Sequence, residues 1–201
     1  MNQIALNVDC MEYMQALPDE AFDLAIVDPP YGISIHDSGR LKKYNATETR
    51  WDDATPGDVY FSELKRCSKN QIIWGGNYYD LPPCRGFVIW DKKQPEDISF
   101  ASCEFAWTSF DTSARTFYYS PLQEKGQRIH PTQKPVALYE WLLMKYAKEG
   151  WRILDTHLGS GSSRIAAYNL GFEFVGCEIE PTYFQLQEQR FADHTAQERL
   201  W

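Results

Sequence analysis

Short apolar runs that end in turn residues mark the predicted strands of this chain. Residues 22–28, "FDLAIVD", combine apolar and β-preferring side chains and end at an Asp-Pro-Pro sequence, which predicts a buried strand followed by a turn. Residues 71–76 and 86–92 show the same pattern. The segments 103–110 and 115–120 alternate between apolar and polar positions, and we expect them to form an antiparallel pair.

Two segments carry apolar side chains at helical spacing. Residues 58–69 show this spacing, and residues 135–150 show it more strongly, with a proline in the first turn and Gly150 after the end. Residues 33–57 contain few apolar side chains. A loop of that length inside a compact domain tends to be functional or mobile, so we expect a flexible loop that faces the substrate.

The last third of the chain predicts a β-α-β unit. A strand at 152–156 leads into the glycine-rich turn 157–163, and a helix at 164–171 leads into a strand at 172–180. A Gly-x-Gly turn in this position lets backbone N–H groups approach an anionic or nucleotide-like ligand. The pattern predicts a single α/β domain over residues 1–201, with a mostly parallel central sheet and an antiparallel edge strand.

Composition removes several classes of protein. A chain of 201 residues with 43% hydrophobic content suits one domain with a real core. No apolar run is long enough to span a membrane, and the first residues lack the pattern of a signal peptide. The five cysteines are scattered, with no Cys-x-x-Cys, which argues against disulfides and structural zinc. We expect a cytoplasmic protein that binds neither metal nor membrane.

The net charge of −8 disfavours a protein that coats nucleic acid non-specifically, because such proteins are usually basic. Any contact with nucleic acid would therefore come from a local patch. The segments 40–50 and 115–134 are locally basic, and each could equally be a solvated loop. The candidate substrate-binding residues in the first segment are Arg40, Lys42, Lys43 and Arg50.

An acidic residue supports a nucleotide-like ligand at the glycine-rich turn. Glu178 follows Asp155 by 23 residues, close to the spacing at which an acid reaches the ribose hydroxyls of a bound cofactor. The turn lacks both the third glycine of the dinucleotide fingerprint and a Walker lysine, so NAD and ATP fit poorly. A nucleoside joined to a small zwitterion fits better, and S-adenosylmethionine is such a molecule.

Together the motifs resemble those of the amino-group DNA methyltransferases. "DPPY" at 28–31 resembles the target-base motif of that family, and "DTHLGSGSS" at 155–163 resembles its cofactor motif. "HPTQKP" at 130–135 and "GCEIEPTYF" at 176–184 resemble further segments, so the likeness covers nearly the whole chain. The order of the motifs is that of the permuted β class. The resemblance implies a Rossmann-like S-adenosylmethionine-dependent methyltransferase fold.

The resemblance also implies a reaction. Enzymes of this family flip the target base out of the duplex. The side chain of Asp28 and the carbonyl of Pro29 would accept hydrogen bonds from its exocyclic amine, Pro30 would stiffen the turn, and Tyr31 would stack on the base. An Asp in the first position goes mainly with adenine. The expected activity is adenine-N6 methylation of double-stranded DNA, with S-adenosylhomocysteine as the second product.

Cofactor contacts follow from the same resemblance. Residues 155–162 would surround the methionine part, Glu178 would bind the ribose, residues 9–10 and Ile179 would contact the adenine, and residues 130–134 would hold the carboxylate end. The candidate cofactor-binding residues are Asp9, Cys10, Asp28, His130, Thr132, Gln133, Lys134, Asp155, His157, Gly159, Ser160, Gly161, Ser162, Glu178 and Ile179.

Two departures from the family pattern matter. Thr156-His157 stands where the family usually has Pro-Phe, so we expect retained cofactor binding with altered affinity. Only the short stretch 121–129 separates the last predicted strand of the middle region from "HPTQKP", which leaves little room for a target-recognition domain. Sequence recognition is then short, loose or absent, or residues 33–57 or the second subunit of a homodimer read the DNA.

Three alternatives remain open at this point. An RNA adenine methyltransferase would keep every motif. A catalytically silent S-adenosylmethionine-binding subunit would support an active partner; intact residues 28–31 argue against it, whereas His157 leaves it open. A plain nucleotide-binding module would use the Asp-Pro-Pro-Tyr sequence only as a turn.

Overall fold

The computed structural model describes residues 2–37, 39, 42–44, 46–94, 101–124 and 127–198, with only the backbone described at 36, 42, 197 and 198. Strands and helices alternate along most of this range. The elements are β1 (Gln3–Leu6), α1 (Cys10–Gln15), β2 (Phe22–Val27), α2 (Asp58–Cys67), β3 (Ser68–Trp74), β4 (Phe87–Asp91), β5 (Cys103–Thr108), β6 (Arg115–Tyr118), α3 (Val136–Tyr146), β7 (Arg152–Asp155), α4 (Ser162–Asn169), β8 (Glu173–Cys177) and α5 (Pro181–Glu198).

The strands form one sheet in the order β1-β8-β7-β2-β3-β5-β4-β6. Every neighbouring pair is parallel except the two pairs that β5 makes with β3 and β4. The α/β fold with a mostly parallel sheet, as predicted, is confirmed. The antiparallel strand, however, lies inside the sheet, and the edge strand β6 is parallel to its neighbour β4.

The predicted antiparallel pair between 103–110 and 115–120 is wrong. Strand β4 lies between β5 and β6 and forms hydrogen bonds with both, with Ile89 opposite Phe105 on one side and Thr116 on the other. Alternation reports that one face of a strand is buried, and it does not report which strand is the neighbour. An earlier strand of the chain can therefore occupy the position between two later ones.

The sheet is covered on both faces. In β2, Leu24 and Ile26 belong to a core formed with α3 and α4, whereas Ala25 and Val27 belong to a core formed with α1 and α2. Successive strand residues point to opposite faces, so a strand between two helical layers needs apolar residues at nearly every position. This explains the continuous apolar run in β2.

The C-terminal helix α5 is attached through a buried cation. Arg164 of α4 is 5% exposed, donates to Glu188 at 2.5 Å and lies 3.9 Å from the ring centroid of Phe191. Helix α5 has no counterpart among the predicted elements, and the same is true of β1 and α1. None of the helices in the described ranges is long and apolar enough to cross a bilayer.

The order of the central strands decides where the candidate site residues lie. The parallel strands β8, β7, β2 and β3 are neighbours, so the loops after their carboxyl ends lie side by side. Those loops begin at Glu178, Thr156, Asp28 and Gly75. Open α/β sheets bind ligands in the crevice outside these strand ends, and the sheet therefore places both predicted motifs in one region.

Candidate active site

The turn after β2 has protein partners at each polar group that the sequence singled out. One carboxylate oxygen of Asp28 accepts from the Tyr31 hydroxyl at 2.6 Å, and the other lies 2.5 Å from the Lys134 ammonium. The hydroxyl of Tyr79 donates to the carbonyl oxygens of Pro29 and Pro30, at 2.8 and 3.1 Å. The turn is therefore held by one contact of its own, between Tyr31 and Asp28, and from outside by Lys134 and Tyr79.

Charges alternate behind the Asp28 carboxylate. Lys134 is 3% exposed at its side chain and lies 3.0 Å from Glu104, which in turn lies 2.7 Å from Lys92. Although burial opposes the charge on Glu104, the two lysines lower its pKa to about 2. Burial likewise opposes the charge on Lys134, and the two carboxylates nevertheless raise the pKa of its ammonium. Glu104 and Lys134 thus stay charged at neutral pH.

The aromatic ring of Tyr31 is enclosed by residues that follow β3. Tyr78 stacks on it, with ring centroids 4.8 Å apart and planes inclined by 13°, and Tyr79 meets it edge-on at 6.4 Å. The backbone of Gly75 also lies against the ring. Tyr78 thus covers the ring of Tyr31, which the resemblance assigns to the target base. Tyr78 itself is 43% exposed.

The glycine-rich turn after β7 is shaped by two carboxylates. Asp155 is 2% exposed and accepts from the His157 N–H at 3.0 Å and the Ser163 hydroxyl at 2.5 Å. Glu178 accepts from the Gly159 N–H at 2.8 Å. Gly159 adopts φ +51°, in the left-handed region that favours glycine. Burial raises the pKa of Asp155 to about 7, and burial also raises the pKa of Glu178.

His157 takes the place of an aromatic packing residue. Its ring meets the ring of Tyr60 edge-on, with centroids 5.4 Å apart. Its Nδ1 lies 2.9 Å from the Thr156 hydroxyl, which also bonds the Tyr60 hydroxyl at 2.6 Å. Burial lowers the pKa of His157 to about 4, so its ring is neutral at physiological pH. The departure from Pro-Phe is therefore accommodated by a local hydrogen-bond network.

The segment 130–134 divides between two tasks. His130 lies beside the glycine turn, with its ring 4.3 Å from Tyr183 and 5.0 Å from Trp51. Burial, together with the charges of Lys134 and Arg128, lowers the pKa of His130 to about 3. The segment's other polar side chains have local partners: the Thr132 hydroxyl lies 3.1 Å from His130 Nδ1, and Gln133 accepts from the N–H of the preceding Ile129 at 3.0 Å. Lys134 contacts the Asp28 carboxylate, and its contact with the carboxylate end of the cofactor stays a prediction.

The remaining cofactor candidates lie at the same edge of the sheet with different exposures. Asp9 caps α1 by accepting from the Met11 N–H at 2.7 Å. Burial, reinforced by the charge of Asp9, raises the pKa of the Cys10 thiol to about 12, which leaves it unreactive. Ile179 is 64% exposed and is open to a ligand. Ser160 and Ser162 are buried beneath the turn and bond each other at 3.1 Å; Gly161, at φ +73°, faces Gln187.

The candidate substrate-binding cations are only partly described. Arg40 and the side chain of Lys42 lie outside the described residues. The Lys43 ammonium lies 4.8 Å from the ring centroid of Tyr44. Arg50 is paired with Asp53 at 2.6 Å on the surface, so its charge is locally balanced. No group of three or more potential metal ligands occurs within the described ranges.

The sequence alone does not identify several residues of the candidate site. Four of them lie near the end or start of a strand, in "GGNYYD", "VIWDKK" and "CEFAWT", and the fifth lies in the polar string "RWDD". Neither position marks a role in the sequence. Their side chains contact the Asp28–Tyr31 turn from other segments, Lys92 only through Glu104, and spacing along the sequence does not report such contacts. The residues are Asp52, Tyr78, Tyr79, Lys92 and Glu104.

Comparison with known proteins gives a consistent family. A family model described as DNA methylase matches residues 53–189. The type II methyltransferase M.HinfI of Haemophilus influenzae is 25% identical over 94% of this chain and 68% of its own length. A crystal structure of an M1.HpyAVI–SAM complex has a TM-score of 0.64 at 22% identity, covering 93% of this chain and 98% of that chain. The cytosine-N4-specific PvuII DNA methyltransferase has a TM-score of 0.65 at 13% identity, covering 96% of this chain and 91% of that chain.

Replacing Gly75 with alanine tests the packing around Tyr31. A Cβ atom there would lie 2.2 Å from the Tyr31 ring, on a backbone with φ +71°. We expect Gly75→Ala to lower the free energy of unfolding by about 2 kcal/mol or more, measured by urea denaturation. Gly57→Ala is the control, because a Cβ atom at Gly57 meets nothing within 4 Å. Equal effects of the two substitutions would contradict the packing.

The raised pKa of Asp155 predicts that the free energy of unfolding falls as the pH rises. Its folded pKa of about 7 exceeds the unfolded value of about 4, so between these values the folded state holds a proton that the unfolded state has released. We expect Asp155→Asn to gain about 3 kcal/mol over wild type between pH 4 and pH 8. Urea denaturation at several pH values measures the difference, with exposed Asp111→Asn as control. If the difference in free energy of unfolding between Asp155→Asn and wild type does not depend on pH, the raised pKa of Asp155 is refuted.

The lowered pKa of His157 predicts that the free energy of unfolding falls as the pH is lowered below about 6.5. Its folded pKa of about 4 lies below the unfolded value of about 6.5, so protonation of the unfolded state destabilises the fold as pH falls through this interval. We expect His157→Phe to gain roughly 1 to 2 kcal/mol on wild type between pH 8 and pH 5. The partly exposed His194, changed to Gln, is the control. The same gain in both variants would show that burial of His157 is not the cause.

Proposed function

This chain belongs to the DNA methylase family, and from that premise we propose that it is an S-adenosylmethionine-dependent DNA methyltransferase acting on the N6 amine of adenine. One observation carries the proposal. The Asp-Pro-Pro-Tyr turn follows β2, the glycine-rich turn follows β7, and the two strands are parallel neighbours, with Leu24 opposite Ile153. A base held at the first turn and a cofactor held at the second would therefore meet at one edge of the sheet.

The residues around the glycine turn suit S-adenosylmethionine. Asp155 and Glu178 are buried carboxylates, and a ligand with a sulfonium and an ammonium group would offset their charge. The exposed apolar side chain of Ile179 provides a surface for an adenine ring. We assign the methionine part to the Asp155 side and the ribose to Glu178. The cofactor supplies an electrophilic methyl group.

Asp28 and Pro29 are the proposed acceptors of the target amine. A carboxylate oxygen and a carbonyl oxygen each have two lone pairs. Asp28 can thus keep its contact with Lys134 and still accept from an amine, and the Pro29 carbonyl can do the same beside Tyr79. Two acceptors draw the amine hydrogens aside and favour a pyramidal nitrogen whose lone pair points toward the methyl donor. Transfer is then a displacement that depends on positioning.

The charges around Asp28 support this role. Burial, together with the charge of Glu104, raises the pKa of Asp28, and the ammonium of Lys134 opposes this rise by favouring the ionised carboxylate. The ionised form accepts two hydrogen bonds, and a raised pKa suits a group that can later take the proton released by the methylated nitrogen. Tyr31 keeps its hydroxyl on Asp28 and its ring beside the site. Tyr78 covers that ring, so a stacked base requires Tyr78 to move or to extend the stack.

Adenine is proposed as the target because of Asp28. In the resembled family an Asp at the first position of the motif goes mainly with adenine. The fold does not decide the target base, because the cytosine-N4-specific PvuII enzyme has a similar fold. Duplex DNA is the proposed substrate, in line with the family. The proposed recognition is short or loose, because the stretch between β6 and "HPTQKP" is brief.

The proposal is tested by nucleoside mass spectrometry after incubation with S-adenosylmethionine and unmethylated nucleic acid. We expect N6-methyladenine in duplex DNA. Formation of N4-methylcytosine would contradict adenine as the target base, and methyladenine formed only in RNA would contradict DNA as the substrate. Cofactor binding with no methylated product on any nucleic acid would favour the silent subunit.

Asp28→Ala tests the proposed acceptor. We expect the rate of methyl transfer to fall by about 10²-fold or more, because the amine loses its charged acceptor. Cofactor affinity, measured by calorimetry, should change little, since the glycine turn is formed by other strands. Asp111→Ala, whose side chain is 85% exposed, is the matched control. A fully active Asp28→Ala variant would contradict the mechanism.

A further inference from the structure

We propose that Asp52 is a positioning residue that fixes the backbone just after the Asp-Pro-Pro sequence, an inference that rests on the proposed function of that turn. Asp52 lies 24 residues after Asp28, in the polar segment between β2 and α2. The sequence pattern gave no role to it. In the structure its side chain is only 1% exposed, which is unusual for a charged residue in a polar loop.

The buried carboxylate accepts hydrogen bonds from backbone N–H groups at the end of the Asp28–Tyr31 turn, which we call the catalytic turn, and in the residues that follow it. One oxygen accepts from Tyr31 at 2.6 Å and from Gly32 at 3.0 Å, and the other accepts from Ile35 at 2.9 Å. The Asp52 carbonyl accepts from the Ser34 N–H at 2.8 Å. One residue therefore binds four of the five N–H groups between residues 31 and 35. Charge-assisted bonds to N–H groups are among the stronger hydrogen bonds in proteins.

The backbone that Asp52 holds is one that would not persist alone. Gly32 adopts φ +70° and Ser34 adopts φ +51°, so two of four consecutive residues are left-handed. The second is not a glycine, and such a conformation costs about 1 to 2 kcal/mol. Strained backbone persists where surrounding contacts over-determine it, and these residues have such contacts in Asp52.

This contact reaches the reacting groups through Tyr31. Asp52 holds the N–H of Tyr31, and the hydroxyl of the same tyrosine is bonded to the Asp28 carboxylate. Tyr31 is thus fixed at both ends, and the turn between Asp28 and Tyr31 has little freedom to shift. A displacement of 1 Å in a positioned group can lower a rate by about 10²-fold. Asp52 acts on the proposed reaction through this backbone and does not touch the base itself.

The neighbouring residues connect Asp52 to the cofactor side. The ring of Trp51 lies 5.0 Å from His130, which borders the glycine turn. The Thr49 hydroxyl donates to Glu180 at 2.7 Å, two residues beyond Glu178. The segment 49–52 therefore spans from the proposed ribose-binding loop to the catalytic turn, which suits a residue that holds the two sites in register.

The substitution Asp52→Asn provides the test. Asparagine preserves the volume and the oxygen facing Tyr31 and Gly32, but turns an amide N–H₂ toward the Ile35 N–H. We expect single-turnover methyl transfer to slow by about 10- to 100-fold with unchanged cofactor affinity by calorimetry. Hydrogen exchange of the amides at 31–35 should accelerate. Asp53→Asn is the matched control, because the neighbouring Asp53 carboxylate bonds two side chains, the Ser34 hydroxyl and the Arg50 guanidinium.

Hydrogen exchange separates this inference from the proposed function. In the wild-type protein the amides of Tyr31, Gly32, Ser34 and Ile35 should be protected although they lie in a loop, and this holds without any substrate. Unprotected amides, exchange unchanged in Asp52→Asn, or a wild-type rate in that variant would each overturn the proposal. If the wild-type protein transfers no methyl group, the proposed function fails, and exchange alone then decides whether Asp52 holds the turn.

Discussion

Lys134 places an ammonium group between two carboxylates, 2.5 Å from Asp28 and 3.0 Å from Glu104, where only 3% of its side chain is exposed. Removing one partner from a buried ion pair costs about 3 to 5 kcal/mol, because the remaining charge has lost both water and its counter-ion. The cluster is therefore tolerable only when complete. Lys134, which lies just before α3, holds the Asp28 carboxylate, and Glu104 of β5 holds Lys134 in turn.

Preorganisation explains why a fold would keep such a cluster. Groups that already point at the site need no reorganisation when the reaction begins, and this is the main way in which a polar site accelerates a reaction. The same principle applies to the uncharged contacts. Tyr79 fixes the carbonyl groups of Pro29 and Pro30, and Asp52 fixes the N–H groups that follow. The two prolines stiffen the turn from within, and these side chains hold it from outside.

The elements that could be predicted from sequence are those whose pattern is local. The buried strand β2, the helix α3 and the glycine turn of the β-α-β unit each have periodicity or turn chemistry that a short window contains. The position of β4 between β5 and β6 depends on pairing over distance, which no window contains. Strand β1 and helix α1 are short, with four and six residues, and their weak patterns yield to tertiary contacts.

The candidate site divides in the same way. Asp28, Gly159 and Glu178 are recognisable because each follows a strand in a characteristic string of residues. Lys134 is recognisable as part of "HPTQKP", but its partner is set by the sheet, which brings β5 and its Glu104 beside β3. Asp52 and Tyr79 carry no pattern at all, since a buried acid and an ordinary tyrosine look like any loop residue until the backbone atoms they bind are known. A motif thus points to the proposed reacting groups, whereas the residues that hold those groups in place are spread over segments that have no recognisable sequence pattern.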